Sequence, residues 1–211
     1  YYIIAECTPS AQESADILNK VRQSRGIPYS EELQATGFDS PDANSVENKQ
    51  QTRRINEIMK EYPNARIFGD IGCYTLGFLP PFNGIHSCVD MGASITMAKG
   101  AADAGLWPAV AIIGDSTFTH SGMTGLLDAI NENANITVII SDNLTTAMTG
   151  GQDSAGTNKF EAICRGLGLN NEHLKVVVPV PKNLPEITRI LKEEIEYKGV
   201  SVIIPRRECL Q

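Results

Sequence analysis

Pro108-Ala109-Val110-Ala111-Ile112-Ile113-Gly114-Asp115-Ser116-Thr117 is the stretch that decides how the rest of the chain reads. An unbroken apolar run this short, rich in β-branched residues and closed by glycine, predicts a strand buried on both faces. Asp115 then places a carboxylate just past the strand end. Downstream, Ile136–Ser141 repeats the pattern as a second buried strand that runs into Asp142-Asn143. Between them Ser121–Glu132 predicts a helix. Strand, helix and strand in this order make a parallel pair.

The same alternation continues in both directions. Arg66–Asp70 and His86–Val89 read as short strands, and Ala93–Ala104 as a helix able to pack closely on a sheet. Thr157–Gly166 is an expected helix with Thr157 as N-cap. Leu174–Val180 is a strand, Leu184–Tyr197 an amphipathic helix and Val200–Pro205 the last strand. The expected class is α/β, with a mainly parallel sheet and helices on both faces. Residues 1–60 have a different texture and form an expected amino-terminal extension or connector ahead of a domain over 61–211. Within the extension, Ser10–Arg25 and Thr52–Tyr62 read as helices, and Pro28–Gln51 as polar loop.

The chain has 211 residues, 42% hydrophobic and 20% charged, as expected of a globular domain with its own core. A net charge of -7 argues against a broad grip on nucleic acid or an anionic membrane. No apolar run approaches the roughly 20 residues of a membrane span. The five cysteines (Cys7, Cys73, Cys88, Cys164, Cys209) are widely spaced without a Cys-x-x-Cys pair. They read as reduced thiols of a cytoplasmic protein, and no iron–sulfur cluster is expected on this segment alone.

In parallel sheets ligands bind at the carboxyl ends of the strands. Three of those ends carry polar loops: Gly69-Asp70-Ile71-Gly72-Cys73, Gly114-Asp115-Ser116-Thr117 and Ser141-Asp142-Asn143-Leu144-Thr145-Thr146. A hard carboxylate from Asp115, an amide oxygen from Asn143 and a backbone carbonyl at Thr145 suit Mg²⁺. They leave room in its shell for diphosphate oxygens and water. A helix starting near Ser121, with the N–H groups around Ser116 and Thr117, would favour the phosphates. Alone, Gly-Asp is an ordinary strand-ending turn. The 26 residues from Thr117 to Asp142 that separate it from Asn143 change that reading.

Four stretches occur in order: Gly69–Gly77 (Gly-Asp-Ile-Gly-Cys-Tyr-Thr-Leu-Gly), Met91–Ile95 (Met-Gly-Ala-Ser-Ile), Gly114–Gly122 (Gly-Asp-Ser-Thr-Phe-Thr-His-Ser-Gly) and Asp142–Gln152 (Asp-Asn-Leu-Thr-Thr-Ala-Met-Thr-Gly-Gly-Gln). Together they resemble the carboxy-terminal thiamine-diphosphate domain of the large (alpha) subunit of indolepyruvate ferredoxin oxidoreductases, a 2-oxoacid ferredoxin oxidoreductase family. The likeness runs from about Arg66 to Arg207, and Ser116, uncommon in the wider superfamily, is usual in this family.

The resemblance implies that Asp115, Asn143 and Thr145 bind Mg²⁺. It implies that Asp70, Ile71, Gly72, Cys73, Thr149 and Gly150 surround the diphosphate, thiazolium and substrate. Met91, Gly92 and Ala93 would approach the pyrimidine side, and Gly114, Ser116 and Thr117 the diphosphate. The implied reaction is oxidative decarboxylation of an arylpyruvate or other 2-oxoacid to an acyl-coenzyme A, with electrons passed through iron–sulfur clusters to ferredoxin. The alternatives are a non-oxidative 2-oxoacid decarboxylase subunit and a non-catalytic cofactor-binding module.

The sequence departs from the family in three ways. No glutamate here is nominated to activate the cofactor; that group is expected from a separate pyrimidine-binding domain. The Cys-Pro-x-Cys segment is missing, with only Glu6-Cys7-Thr8-Pro9 in its place, and so is the cluster-binding tail. A fragment, or a separately encoded subunit of an oligomer that includes a second subunit, is expected, inactive alone. Among single residues, Cys73 reads as packing or as a site contact, and His120 as a contact or as helix-start packing. His86 and His173 read as structural or exposed, and Cys88 and Cys164 as core or surface thiols. Arg206-Arg207 reads as a solvated terminus, or as a holder of an anion or of the next domain.

Overall fold

A computed structural model describes residues 55, 58–78, 83–146 and 152–207. The helix expected over Ser10–Arg25, the loop Pro28–Gln51, Thr149, Gly150 and the side chain of Cys73 lie outside the described residues. Among the described residues six strands are present: β1 (Arg66–Gly69), β2 (Ser87–Cys88), β3 (Ala109–Gly114), β4 (Ile136–Ser141), β5 (Leu174–Val177) and β6 (Val200–Pro205). They form one sheet in the order β2-β1-β3-β4-β6-β5, and every pairing is parallel.

The helices used below are α1 (Ala93–Asp103), α2 (Asp115–Thr117), α3 (Met123–Asn131), α4 (Phe160–Gly166) and α5 (Leu184–Glu196), and Ile55, Ile58 and Met59 are also helical. Strand residues alternate between two cores. Ala109, Ala111 and Ile113 of β3 face Ile95 and Ala98 of α1, Leu126 and Ala129 of α3, and Phe160 and Cys164 of α4. Val110 and Ile112 face Ile187, Leu191 and Ile195 of α5, together with Ile55, Ile58 and Met59. The expected α/β sheet with helices on both faces is what forms.

Register positions the strand ends. Gly114 lies opposite Ser141, so Asp115 and Asp142 leave the sheet at the same level. A bridge between Asp142 and Arg206 extends that level across β6.

Several expected boundaries shift. The helix expected from Ser121 instead begins at Asp115, directly at the end of β3; α2 continues through a π turn (Phe118–Gly122) into α3. Phe118 drives this early start, being fully buried and set edge-on against Phe160 at 6.0 Å. Gly122 allows the wide turn to approach β3, since a Cβ there would meet Ile113 Cδ1 at 2.6 Å. Thr157 is not an N-cap. Its N–H bonds Ser154 O in a tight turn, and α4 starts at Phe160, with Lys159 preceding it. β5 stops at Val177, short of Val180, because Pro179 has no N–H and Val180 N turns back to Val178 O. The helix expected to reach Tyr62 is already in turn at Lys60.

Candidate functional site

β3 ends in extended backbone at Gly114, and Asp115 follows as the first helical residue. The residue is 6% exposed. Oδ1 accepts the Ser116 N–H at 2.6 Å, while Oδ2 is buried with no hydrogen-bond partner among the described residues. Burial pushes this acid up to about 6, helped by the nearby Asp142 carboxylate and opposed by the Ser116 N–H and hydroxyl. A buried carboxylate oxygen with no donor is costly unless something cationic or protic meets it.

β4 delivers the second loop. Asp142, 2% exposed, receives the Arg206 Nε–H on Oδ2 at 2.6 Å and the Leu144 N–H on Oδ1 at 3.2 Å. Asn143 Oδ1 accepts the Thr145 N–H at 3.2 Å. These two side-chain-to-backbone bonds curl the chain into successive tight turns. Leu144 adopts φ 62, a conformation uncommon for a branched side chain. A hydrogen bond between the hydroxyls of Ser116 and Thr146 ties this loop to the end of β3.

The β1 loop and the loop before α1 complete the edge. Asp70 is fully buried; its Oδ1 accepts Gly92 N–H (2.9 Å) and Ser94 N–H (3.3 Å), and its Oδ2 accepts Ser94 Oγ–H (2.6 Å). Thr75 Oγ1 donates to Asp70 O and accepts Gly72 N–H, bracing Asp70–Gly72 from below. From the other side, Ser121 Oγ donates to Met91 O at 2.7 Å. Gly92 has φ 96, and a Cβ there would collide with Ser121, so glycine is required twice over. Thr117 Oγ1 reaches Ile71 O at 3.4 Å.

The expected site residues Asp70, Ile71, Gly72, Met91, Gly92, Ala93, Gly114, Asp115, Ser116, Thr117, Asn143 and Thr145 are thus joined by one chain of contacts at one sheet edge. His120 lies exposed beside them, its Nδ1 3.1 Å from Ser121 Oγ.

Two residues at this edge were missed or misread in the sequence. Tyr74 packs its ring where a Cβ on Gly114 would lie 3.0 Å from Cε1. Its hydroxyl is buried with no partner among the described residues. Arg206, read as part of a solvated terminus or as a holder of an anion or of the next domain, pairs with the chain's own Asp142 and Glu161. Elsewhere, His86 Nδ1 accepts the Ile67 N–H, and Cys164 is a core thiol pushed up to about 12 by burial.

Among the described residues no cluster of three His, Cys, Asp or Glu side chains could hold a metal alone. The edge offers one unpaired carboxylate oxygen among neutral oxygens. That donor set suits a hard cation that brings phosphate oxygens with it. No helix among the described residues is long and apolar enough to cross a membrane.

Comparison with known proteins gives the family. Residues 70–204 match the family of the thiamine pyrophosphate enzyme C-terminal TPP binding domain; thiamine pyrophosphate (TPP) is thiamine diphosphate. Indolepyruvate oxidoreductase subunit IorA of Archaeoglobus fulgidus is 36% identical over 166 residues, covering 74% of this chain and 26% of the relative. The expected likeness to indolepyruvate oxidoreductase large subunits is thereby borne out, and this chain spans about a quarter of that relative's length.

In fold, the chain resembles the 2-oxoglutarate:ferredoxin oxidoreductase of Magnetococcus marinus (TM-score 0.60, 15% identity, covering 77% of this chain and 62% of that one). It also resembles the thiamine diphosphate-dependent 4-hydroxybenzoylformate decarboxylase of Rhodococcus jostii (TM-score 0.55, 18% identity, covering 76% and 32%). The match over 70–204 and the strand-end loops that fall within it show that this chain belongs to the thiamine pyrophosphate enzymes, through their C-terminal TPP binding domain.

Proposed function

We propose that this chain supplies the diphosphate-binding half of a 2-oxoacid ferredoxin oxidoreductase acting on indolepyruvate or another arylpyruvate. The observation that carries the reading is the buried, unpaired Asp115 Oδ2 at the head of α2. In this reading Asp115, Asn143 and the Thr145 carbonyl hold Mg²⁺. Gly114, Ser116 and Thr117 receive the diphosphate at the start of the 115–131 helical run, where N–H groups and the helix dipole favour anions. Asp70 acts indirectly, by fixing the backbone of Gly92 and Ser94. Ile71, Gly72, Met91, Gly92 and Ala93 line the thiazolium and pyrimidine side, the side to which the family resemblance also assigns Cys73, Thr149 and Gly150. His120 stands at the rim, beside the substrate entrance.

Bound there, thiamine diphosphate supplies the carbanion-stabilising chemistry that lets a 2-oxoacid lose CO₂. This chain's own work is to anchor, orient and shield the cofactor. The activating glutamate comes from a pyrimidine-binding domain elsewhere in the enzyme. Iron–sulfur clusters, coenzyme A and ferredoxin are served by other segments or by a second subunit of an oligomeric, cytoplasmic assembly. Oxidation is favoured over simple decarboxylation because the sequence relative that matches at 36% identity is named an oxidoreductase subunit. Residues 61–211 form the cofactor domain and residues 1–60 its connector, with Ile55, Ile58 and Met59 already packed into the domain core.

Calorimetry of thiamine diphosphate binding, with and without Mg²⁺ and with the pyrimidine-binding domain supplied, tests the reading. Saturable binding that requires Mg²⁺ and disappears in Asp115→Ala is expected. Binding that ignores Mg²⁺, or survives in Asp115→Ala, refutes it.

A further inference from the structure

We infer that Arg206, at the end of β6, is a positioning residue for the cofactor site, acting through Asp142 to fix the loop that carries Asn143 and Thr145. The inference rests on the cofactor reading above and adds a residue that does not touch the cofactor.

Every hydrogen-bonding group of Asp142 is engaged. Its N–H donates to Pro205 O at 3.0 Å, and its carbonyl accepts Arg207 N–H at 3.0 Å. Its Oδ1 accepts Leu144 N–H, and its Oδ2 accepts Arg206 Nε–H at 2.6 Å. Both carboxylate oxygens of Asp142 are thus occupied by the chain itself. Asp142 is a peg, held by β6 on one side and holding Leu144 on the other. Leu144 needs holding because φ 62 costs a γ-branched residue energy that local bonds must offset. The Asn143 amide oxygen and the Thr145 backbone take their directions from that turn.

The guanidinium fits this task in a way that a simple charge would not. While Nε serves Asp142, Nη1 and Nη2 reach Glu161 Oε1 and Oε2 at 2.8 and 2.7 Å. Glu161 sits in the first turn of α4. One planar fork thus joins β4, β6 and α4, with Asp142 fully desolvated and Arg206 and Glu161 about three-quarters buried as side chains (23% and 25% exposed). Lysine has a single ammonium and cannot span both carboxylates in this geometry. Arg206 also balances the charge of Asp142 beside Asp115, so the edge presents a cation with one uncompensated carboxylate rather than two.

The test titrates Mg²⁺ into the full enzyme at fixed thiamine diphosphate and reads the Mg²⁺ concentration that gives half-saturation, alongside the melting temperature without cofactor. Arg206→Met should raise the half-saturating Mg²⁺ concentration about tenfold or more. Arg206→Lys should restore part of the loss, and Glu161→Gln should shift it about threefold. In each case enough Mg²⁺ should recover full thiamine diphosphate binding, because the metal reimposes the loop geometry. A residue that serves stability alone would lower the melting temperature and leave the Mg²⁺ midpoint unmoved in folded protein. That result overturns the inference. If Arg206→Met does not fold, an unchanged midpoint in Glu161→Gln overturns it equally. Wild-type enzyme that shows no Mg²⁺-dependent binding at all would instead sink the cofactor reading, and the inference with it.

Discussion

Asp70 and Asp115 stand at the ends of the adjacent parallel strands β1 and β3, both followed by polar loops and both nearly or wholly buried. Burial pushes both carboxyls upward. They differ in what meets the carboxylate. Asp70 receives two N–H groups and a hydroxyl from the chain itself, so both oxygens are satisfied. Asp115 satisfies one oxygen with the N–H of its own neighbour, and the other has no hydrogen-bond partner among the described residues. The first is a brace that the fold completes; the second is a site that only a ligand completes. Burial alone does not separate them. The inventory of donors does.

The contrast is sharpest in Asp115→Asn. Mg²⁺-dependent thiamine diphosphate binding should fall by about a hundredfold or more, read by calorimetry, since removing a charged hydrogen-bonding or metal-ligating group from a buried site is among the costliest changes. The cofactor-free protein should move the other way. An acid raised to about 6 stabilises the fold below its ordinary value near 3.8, and that contribution is lost as pH rises through 6. The neutral amide removes the loss, so Asp115→Asn should melt higher than wild type above pH 6, by about 1–3 kcal/mol of stability.

Asp70 should show the opposite signature. Asp70→Ala strands the Gly92 and Ser94 N–H groups and should cost about 2–4 kcal/mol in denaturant unfolding. Asp70→Asn keeps an acceptor for those N–H groups and a donor for Ser94 Oγ, and should cost far less. If Asp70→Asn lost Mg²⁺-dependent binding as completely as Asp115→Asn, the division between brace and ligand would collapse.

The pH dependence follows with a smaller effect. Metal binding needs ionised Asp115, so affinity should fall about tenfold between pH 7 and pH 5 in wild type beyond the protonation of the diphosphate itself. The smallest change is expected at Gly114. Its φ of -81 suits any residue, but a Cβ would press on the Tyr74 ring at 3.0 Å. Gly114→Ala should cost about 1 kcal/mol of stability and weaken cofactor binding severalfold. A silent Gly114→Ala would mean that the ring has room to move.

What the sequence made legible follows from range. β3 announced itself as a continuous apolar run and β4 as a β-branched apolar run broken only by Thr137, and their neighbouring loops lay side by side as the parallel-sheet rule requires. Asp115 and Asn143 could be nominated because the spacing between them is a crossover length. Arg206 could not be placed, since its role depends on β6 inserting between β4 and β5, an order that chain sequence does not dictate. Tyr74 was hidden for a similar reason: its meaning lies in the missing side chain of Gly114, forty residues away. The early start of the helix at Asp115 was masked because Phe118 looked like loop until Phe160 was seen against it.

Mn²⁺ replaces Mg²⁺ on oxygen ligands and reports its own coordination by electron paramagnetic resonance. Titrating Mn²⁺ into the enzyme with thiamine diphosphate should give one tightly bound ion per site, and none in Asp115→Asn. Mn²⁺ bound with unchanged affinity and an unchanged spectrum in Asp115→Asn would contradict the assignment of Asp115 Oδ2 as a metal ligand.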